Sequence, residues 1–594
     1  MNKKKNSHRG AGEIPLKGPN QKELWGSDAL AAMVRALDIP YLALNPGASY
    51  RGLHDSIVNY LGNSRPKILL CLHEENAVAI AHGYAKASGK IMGALVHSNV
   101  GLMHASMAVF NAWCDRMPLL LLGATGPMDA AKRRPWIDWI HTVSDQGSLI
   151  RDYTKWDNQA GSVISAYEAL LRAVQIADTA PRGPTYVNLD AAFQEEEIGA
   201  IPPLPDVKRY CAPESTIPSD DLIRKAARLL SGSKNPIILA GRVSRSETAW
   251  KHRISLAEKL RARVLTDLKV GAAFPTDHAL HPIPPSAVVS PLMAKAIGEA
   301  DVILSLDWVD LAGSLKRAAA GKKKVQQKII RVSADAHIHR GWSMDYQGMP
   351  PADIYLMSEP DATVPLLLEA VMERSSPART MQTVSPLKPD NIVSIRALAH
   401  ALNAATKGMD VCITHLPLGW NGAYRHFKHP LDYIGSEGGG GIGAGPGLTV
   451  GAALALKGSG RMPIGIVGDG DFLMGVTALW TAVHYRIPCL ILVANNRSFF
   501  NDELHQESVA QERGRPRENR WIGQRISDPD IDLAMMAKAQ GAEGIGPIGK
   551  VSDIVPAIEK GITLVEGGAV CVVDVRVQPG YDINLESFSA IAKR

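Results

Sequence analysis

The chain is short of the features that mark several large classes of protein. It has no Cys-x-x-Cys pair: its six cysteines, Cys71, Cys114, Cys211, Cys412, Cys489 and Cys571, lie far apart. That argues against a zinc site or a disulfide framework and for a reducing, cytoplasmic setting. No apolar run reaches the roughly 18 residues of a membrane span, so no membrane partner is expected. The first 22 residues carry Lys3, Lys4, Lys5 and Arg9 but no apolar stretch of the kind a secretion signal needs. They are expected to form a basic flexible tail (1–22). One-sided charge is missing too: 65 Lys plus Arg against 59 Asp plus Glu leave only +6 over 594 residues. With no basic stripe, no nucleic-acid partner is expected, and small anionic molecules remain. Ordinary glycine and proline usage, with 46% apolar and 21% charged residues, excludes collagen, coiled coil and disorder. No short-period repeat suggests a solenoid.

What is present is a rhythm. Short apolar runs such as Tyr41-Leu42-Ala43-Leu44, Ile68-Leu69-Leu70-Cys71, Ile237-Ile238-Leu239-Ala240 and Leu490-Ile491-Leu492-Val493 each end in Gly, Pro or polar residues and alternate with amphipathic stretches. This is the pattern of parallel sheets wrapped by helices. Proline-bearing polar stretches at 196–220 and 373–390 read as linkers. The expected fold class is α/β, with three doubly wound parallel-sheet domains at 23–195, 221–372 and 391–585.

One unit of the third block carries chemistry. The run Pro463 to Val467 leads into Gly468-Asp469-Gly470, and the run Cys489 to Val493 leads into Asn495-Asn496. If the two strands are parallel neighbours, Asp469 and Asn496 meet at the edge where open α/β sheets bind ligands. A carboxylate and an amide oxygen suit a hard divalent cation whose other ligands come from phosphate, a backbone carbonyl and water. Gly468 and Gly470 let the backbone approach that anion, with the following helix start supplying N–H donors.

Gly468-Asp469-Gly470, 24 residues and then Asn495-Asn496 resembles the cofactor motif of thiamine diphosphate (TPP) enzymes. Leu72-His73-Glu74-Glu75-Asn76-Ala77 with Ala81-His82-Gly83-Tyr84-Ala85 resembles the pyrimidine-binding segment of the acetolactate synthase and benzoylformate decarboxylase group. Asn45-Pro46-Gly47, Ala112 to Pro118, Phe274 to His278 and the glycine-rich run Gly438 to Gly447 also match. The resemblance covers about residues 25 to 580. It implies a pyrimidine-binding domain (23–195), a central Rossmann-like domain (221–372) and a diphosphate- and Mg-binding domain (391–585). It implies thiamine diphosphate and Mg²⁺ as cofactors, with Asp469, Asn496 and the Ser498 carbonyl on the metal. Gly468, Gly470 and Asp471 belong with the diphosphate, the Gly440 carbonyl meets the pyrimidine amino group, and Ile442 is the wedge that keeps the cofactor bent.

Counting from His82-Gly83-Tyr84, where the family usually has Asp-Gly-Tyr, the activating glutamate falls on Glu74 and not Glu75. A carboxyl there favours the imino tautomer that pulls the C2 proton from the thiazolium. The implied enzyme forms an acyl-anion (enamine) intermediate from a 2-oxo acid or related carbonyl compound, then decarboxylates or ligates. His97, 23 residues after Glu74, and His278 match histidines of the decarboxylases and are candidate catalytic groups. Ala48 stands where those enzymes have a serine. Asn501, Glu503 and His505 make the next segment polar, which adds His505 as a catalytic candidate. Arg513, Arg515, Arg517 and Arg520 suit either a charge network between domains or an anionic substrate. The alternatives left open are a 2-hydroxyacyl-CoA lyase, a cyclic 1,2-diketone hydrolase and a non-catalytic TPP-binding regulatory relative. A structural FAD is suggested by Gly271-Ala272-Ala273-Phe274-Pro275 but opposed by Pro282-Ile283-Pro284-Pro285-Ser286 and by the lack of a Gly-x-Gly-x-x-Gly motif. The resemblance also implies a homodimer or homotetramer with active sites at the subunit interface and a small-molecule carbonyl substrate.

Overall fold

In the computed structural model, which describes residues 13–16, 23–319, 326–335, 348–374 and 390–580, the short apolar runs become strands of three parallel sheets. Central strands such as Leu119–Thr125 and Cys489–Ala494 are covered on both faces, which is why they are apolar without alternation. The first sheet runs, in spatial order, Lys67–Leu70, Tyr41–Leu44, Met92–Val96, Leu119–Thr125, Pro184–Asp190 and Trp156–Ala160. The second runs Arg263–Thr266, Pro236–Ala240, Val302–Leu306, Lys328–Val332 and Ile354–Leu356. The third runs Val411–His415, Met462–Gly468, Cys489–Ala494, Val570–Val575 and Glu543–Ile548. The expected fold class, α/β with three doubly wound parallel sheets, is the fold observed. Among the described residues no helix is long and apolar enough to cross a membrane. Most of the expected tail (1–22) and residues 375–389 of the second linker lie outside the described residues.

In the first sheet the strand Tyr41–Leu44 lies between Lys67–Leu70 and Met92–Val96, both of which follow it in sequence. Successive connections therefore leave in opposite directions and open a crevice at the C-terminal strand ends, where ligands of such sheets bind.

The first and third blocks share one continuous apolar core. Helix Glu74–Ser88 lies against helix Gly445–Ala455, bringing Ala77, Ile80 and Ala81 into one cluster with Val450, Ala453 and Leu454. The approach depends on two glycines. A Cβ on Gly83 would stand 2.1 Å from the Leu448 carbonyl oxygen, and one on Gly451 would stand 1.9 Å from that of Ile80. Polar contacts fix the register: Asn76 Nδ2 donates to Thr477 Oγ1 and Thr481 Oγ1 to the Leu70 carbonyl, both at 2.8 Å. The Leu70 N–H donates to Tyr485 Oη, also at 2.8 Å. The second sheet keeps separate cores on its two faces.

Gly451→Ala forces two backbones apart in a packed core. It should lower stability by about 1–3 kcal/mol, the usual cost of overpacking, and be read as a lower thermal midpoint. Gly199→Ala, where nothing lies within 4 Å of the new Cβ, should leave the midpoint unchanged.

Candidate active site

The strands leading to Asp469 and Asn496 are parallel neighbours, with Gly468 paired to Ala494, so the two motifs meet at one edge of the third sheet. Asp469 is 4% exposed. Its Oδ1 accepts the Gly470 N–H at 2.9 Å and its Oδ2 the Ser498 N–H at 3.2 Å, and the Ser498 N–H also reaches Asn496 Oδ1 at 2.9 Å. Among the described residues no cationic side chain pairs with Asp469. Burial pushes its carboxyl up to about 6 although backbone N–H groups oppose the shift. A buried carboxylate compensated only by amides, beside an amide oxygen, is a donor set that a hard divalent cation completes.

Behind Ser498 the polar residues Asn501, Glu503 and His505 take different surroundings. Residues Phe500–Glu512 form a helix, and Glu503 turns inward to 1% exposure. It accepts from Ser498 Oγ at 2.5 Å and is held by Arg520 Nε at 3.3 Å and Arg525 Nε at 3.5 Å. Glu503 thus braces the Ser498 turn. Asn501 is half-buried, and His505 is exposed on the same helix. Arg520 also pairs with Glu507, while Arg513, Arg515 and Arg517 are exposed. The arginine group is therefore divided between a local brace and the surface, not gathered into one charge network between domains.

The glycine-rich run turns on either side of the half-buried Ile442: Gly440 has φ +70° and Gly443 φ +104°, left-handed values that favour glycine. Two side chains hold these turns. Asn111, on helix Ser98–Asp115 of the first block, accepts the N–H groups of Gly439 (3.0 Å) and Gly441 (3.4 Å) and donates to the Gly441 carbonyl (3.3 Å). Asp471 Oδ1 accepts the N–H groups of Gly443 (2.7 Å) and Gly445 (3.1 Å). Its Oδ2 lies 3.8 Å from His415 Nε2, which is 2.5 Å from Glu437. Burial alone would lower the His415 pKa, but Glu437 and Asp471 outweigh it and raise it to about 9, so the imidazole is charged at neutral pH. Sequence reading missed Asn111, His415 and Glu437. Asn111 directly precedes the motif Ala112 to Pro118 and Glu437 the glycine-rich run Gly438 to Gly447, whereas His415 has no such neighbour.

At the first sheet's edge Glu74 opens helix Glu74–Ser88 with 7% exposure. Its Oε2 lies 3.2 Å from His104 Nδ1, and the His104 ring stacks on His73 with centroids 5.2 Å apart. Glu75 faces elsewhere. A Cβ on Gly443 would stand 3.7 Å from its Oε1, and burial, with Asp471 second, raises its pKa. His97 follows strand Met92–Val96, and its Nδ1 lies 2.9 Å from Ser49 Oγ. Its ring packs edge-on against His141 at 4.6 Å. Burial and then His141 lower the His97 pKa to about 4, so this imidazole is neutral at pH 7. Gly47 permits the approach, since a Cβ there would stand 2.3 Å from that of His97. Ala48 lacks the hydroxyl that the decarboxylase pattern has at its position, and the next residue, Ser49, brings one to His97. The structure does not bring His278 to either edge: it lies in the second block, 3.2 Å from Glu258.

The flavin expectation meets a poor donor set. The edge of the second sheet carries arginines, but it also presents Asp307, Asp335 and Asp361 to a cleft of about 340 Å³. Asp335 is 2.8 Å from Arg116, Asp361 is 2.8 Å from Arg253, and burial raises the Asp307 pKa. Carboxylates facing a dinucleotide's diphosphate have the wrong sign, and no step is assigned to a flavin.

Asp469→Ala removes the central donor of the third-sheet edge without touching the apolar core. Adding thiamine diphosphate and Mg²⁺ should raise the thermal midpoint of the wild type and not that of the variant. An equal rise in both would remove Asp469 from the site.

Three family domains match the chain in order: the thiamine pyrophosphate enzyme N-terminal TPP binding domain at residues 24–149, the central domain at 223–343 and the C-terminal TPP binding domain at 417–575. Benzoylformate decarboxylase from Pseudomonas aeruginosa is 25% identical over 451 residues, covering 73% of this chain and 79% of its own. The acetolactate synthase large subunit of Lactococcus lactis is 24% identical over 540 residues, 88% of each chain. A solved 4-hydroxybenzoylformate decarboxylase from Rhodococcus jostii superposes with a TM-score of 0.76 at 20% identity, covering 94% of this chain and all of its own. With all three blocks matched in order by the domains of one family, two of them TPP-binding, the chain belongs to the thiamine pyrophosphate enzymes.

Proposed function

We propose that this enzyme uses thiamine diphosphate and Mg²⁺ to break or make the C–C bond beside the carbonyl of a 2-oxo acid or related compound, with decarboxylation, carboligation or both. Thiamine diphosphate supplies the electron sink for that bond. The observation that carries the reading is Glu74: a carboxyl 7% exposed, at a sheet edge and the start of a helix, held by the His104 imidazole at 3.2 Å. In this role Glu74 holds and releases a proton on its bond to the pyrimidine ring. His97, neutral and tied to Ser49 through Nδ1, keeps Nε2 for a substrate oxygen. Asp469, Asn496 and the Ser498 carbonyl hold the cation, Gly468, Gly470 and Asp471 border the diphosphate, and Gly440 and Ile442 orient the rings.

The same reading makes the enzyme a homodimer or homotetramer with shared sites. Glu74's hydrogen bond goes to His104 of its own block, and Glu75, not Glu74, faces the third block of the same chain. Exposed apolar residues fringe both edges, Leu72, Met103 and Trp136 on the first block and Met474, Trp521 and Ile522 on the third. Such fringes suit a partner chain that brings one edge onto the other.

Glu74→Gln should bind thiamine diphosphate with a modest loss of affinity, because the diphosphate and cation supply most of the anchoring. Activation should fall by roughly 10² to 10⁴. H/D exchange at thiamine C2 in the loaded enzyme checks this, and exchange equal to wild type would reject Glu74 as the activating carboxyl. Glu75→Gln, run alongside, tells the neighbours apart.

A further inference from the structure

The edge that carries Glu74 and His97 continues into a cavity of about 190 Å³. It is built at the C-terminal ends of three strands, by Ala48 and Ser49 after Tyr41–Leu44, Gly126 and Pro127 after Leu119–Thr125, and Ala191 and Ala192 after Pro184–Asp190. Ser49 and His141 line it, and both lie against His97, at 2.9 Å and with ring centroids 4.6 Å apart. The cavity therefore opens directly behind the imidazole assigned to the reacting carbonyl.

Its charged lining is Arg51, Lys132 and Arg134 against Asp138 and Glu195. Arg134 grips Asp138 at 2.8 Å and Arg51 grips Glu195 at 2.6 Å. Among the described residues no carboxylate pairs with Lys132, so the pocket holds one uncompensated positive charge. Each guanidinium carries five N–H donors, and its carboxylate leaves some of them for another acceptor. The Ser49 hydroxyl and the His141 ring add hydrogen-bonding groups. A small pocket with five charged side chains in its wall and a net positive charge is well suited to a compact anion.

We propose that this cavity is a specificity site for a substrate whose far end is a carboxylate or sulfonate, a 2-oxo acid with a second acid group, held there by Lys132 and Arg51 while its carbonyl sits at His97. The inference rests on the C–C bond chemistry proposed above and names the substrate class for that same site.

Two measurements on the holoenzyme test it. Calorimetric titration with glutarate, 4-sulfobutyrate and neutral glutaramide reads binding without turnover. One or both acids should bind and glutaramide should not, and the preferred acid identifies the head group taken. Lys132→Ala should bind that acid roughly tenfold more weakly, as for the loss of one charge-assisted bond, and Lys132→Arg should restore it. The second measurement is the ratio of kcat/KM for 2-oxoglutarate over 2-oxovalerate, which should favour the diacid and fall by a similar factor in Lys132→Ala. Equal binding of the acid by wild type and Lys132→Ala, no acid binding by wild type, or a wild-type preference for 2-oxovalerate would overturn the inference. If neither 2-oxo acid is consumed but acid binding depends on Lys132, the pocket stands and the 2-oxo acid reaction falls.

Discussion

The contact between helix Glu74–Ser88 and helix Gly445–Ala455 governs the geometry of everything else. Because Gly83 and Gly451 have no side chains, the two helices meet backbone to backbone, and the first and third sheets share one core. The residue that opens the first helix is Glu74, and the segment that leads into the second is the glycine-rich run. The same packing that stabilises the chain therefore fixes the position of Glu74 and of the turns at Gly440 and Gly443. The second sheet has cores of its own, and its block meets the third through Trp250, Leu268 and Ala272.

Around that unit the protein handles buried carboxylates in three different ways. Asp115 faces Lys86 at 2.5 Å and His82 at 2.9 Å; burial would raise its pKa, but these partners outweigh it and hold the carboxyl below the usual range. That is a structural solution, and it uses the histidine that departs from the family's Asp-Gly-Tyr pattern. Asp471 is satisfied at one oxygen by two glycine N–H groups and faces the charged His415 with the other, which ties the glycine turns to the strand Val411–His415. Asp469 has only amides, and burial drives its pKa up. Of the three it is the one with no cationic partner among the described residues, so an added cation would complete its environment.

Much of this was legible in the sequence because strand ends announce themselves. Apolar runs closed by Gly-Asp-Gly and by Asn-Asn place Asp469 and Asn496 at one edge once the sheet is parallel. What sequence could not show are contacts made across long separations. Asn111 bonds glycines more than 300 positions away, and His415 meets Glu437 only through the third sheet's edge. The polar segment after Asn496 divides for a local reason: helical spacing turns Glu503 under Ser498 and leaves His505 exposed. Ser49 carries no signal in the sequence, because the decarboxylase pattern names the position of Ala48 and the contact to His97 spans 48 residues.

The central claim is that the Glu74 edge of one chain and the Asp469 edge of another form each active site. Mixing Glu74→Gln chains with Asp469→Ala chains, each nearly inactive alone, tests it directly once subunit exchange has been demonstrated by mass. A heterodimer pairs one intact Glu74 with one intact Asp469 at one of its two sites, so activity should return to about a quarter of wild type at equal mixing, half the dimers being mixed and each having one working site. Activity no higher than that of either variant alone, with exchange complete, would contradict the shared site and require both residues to act within one chain.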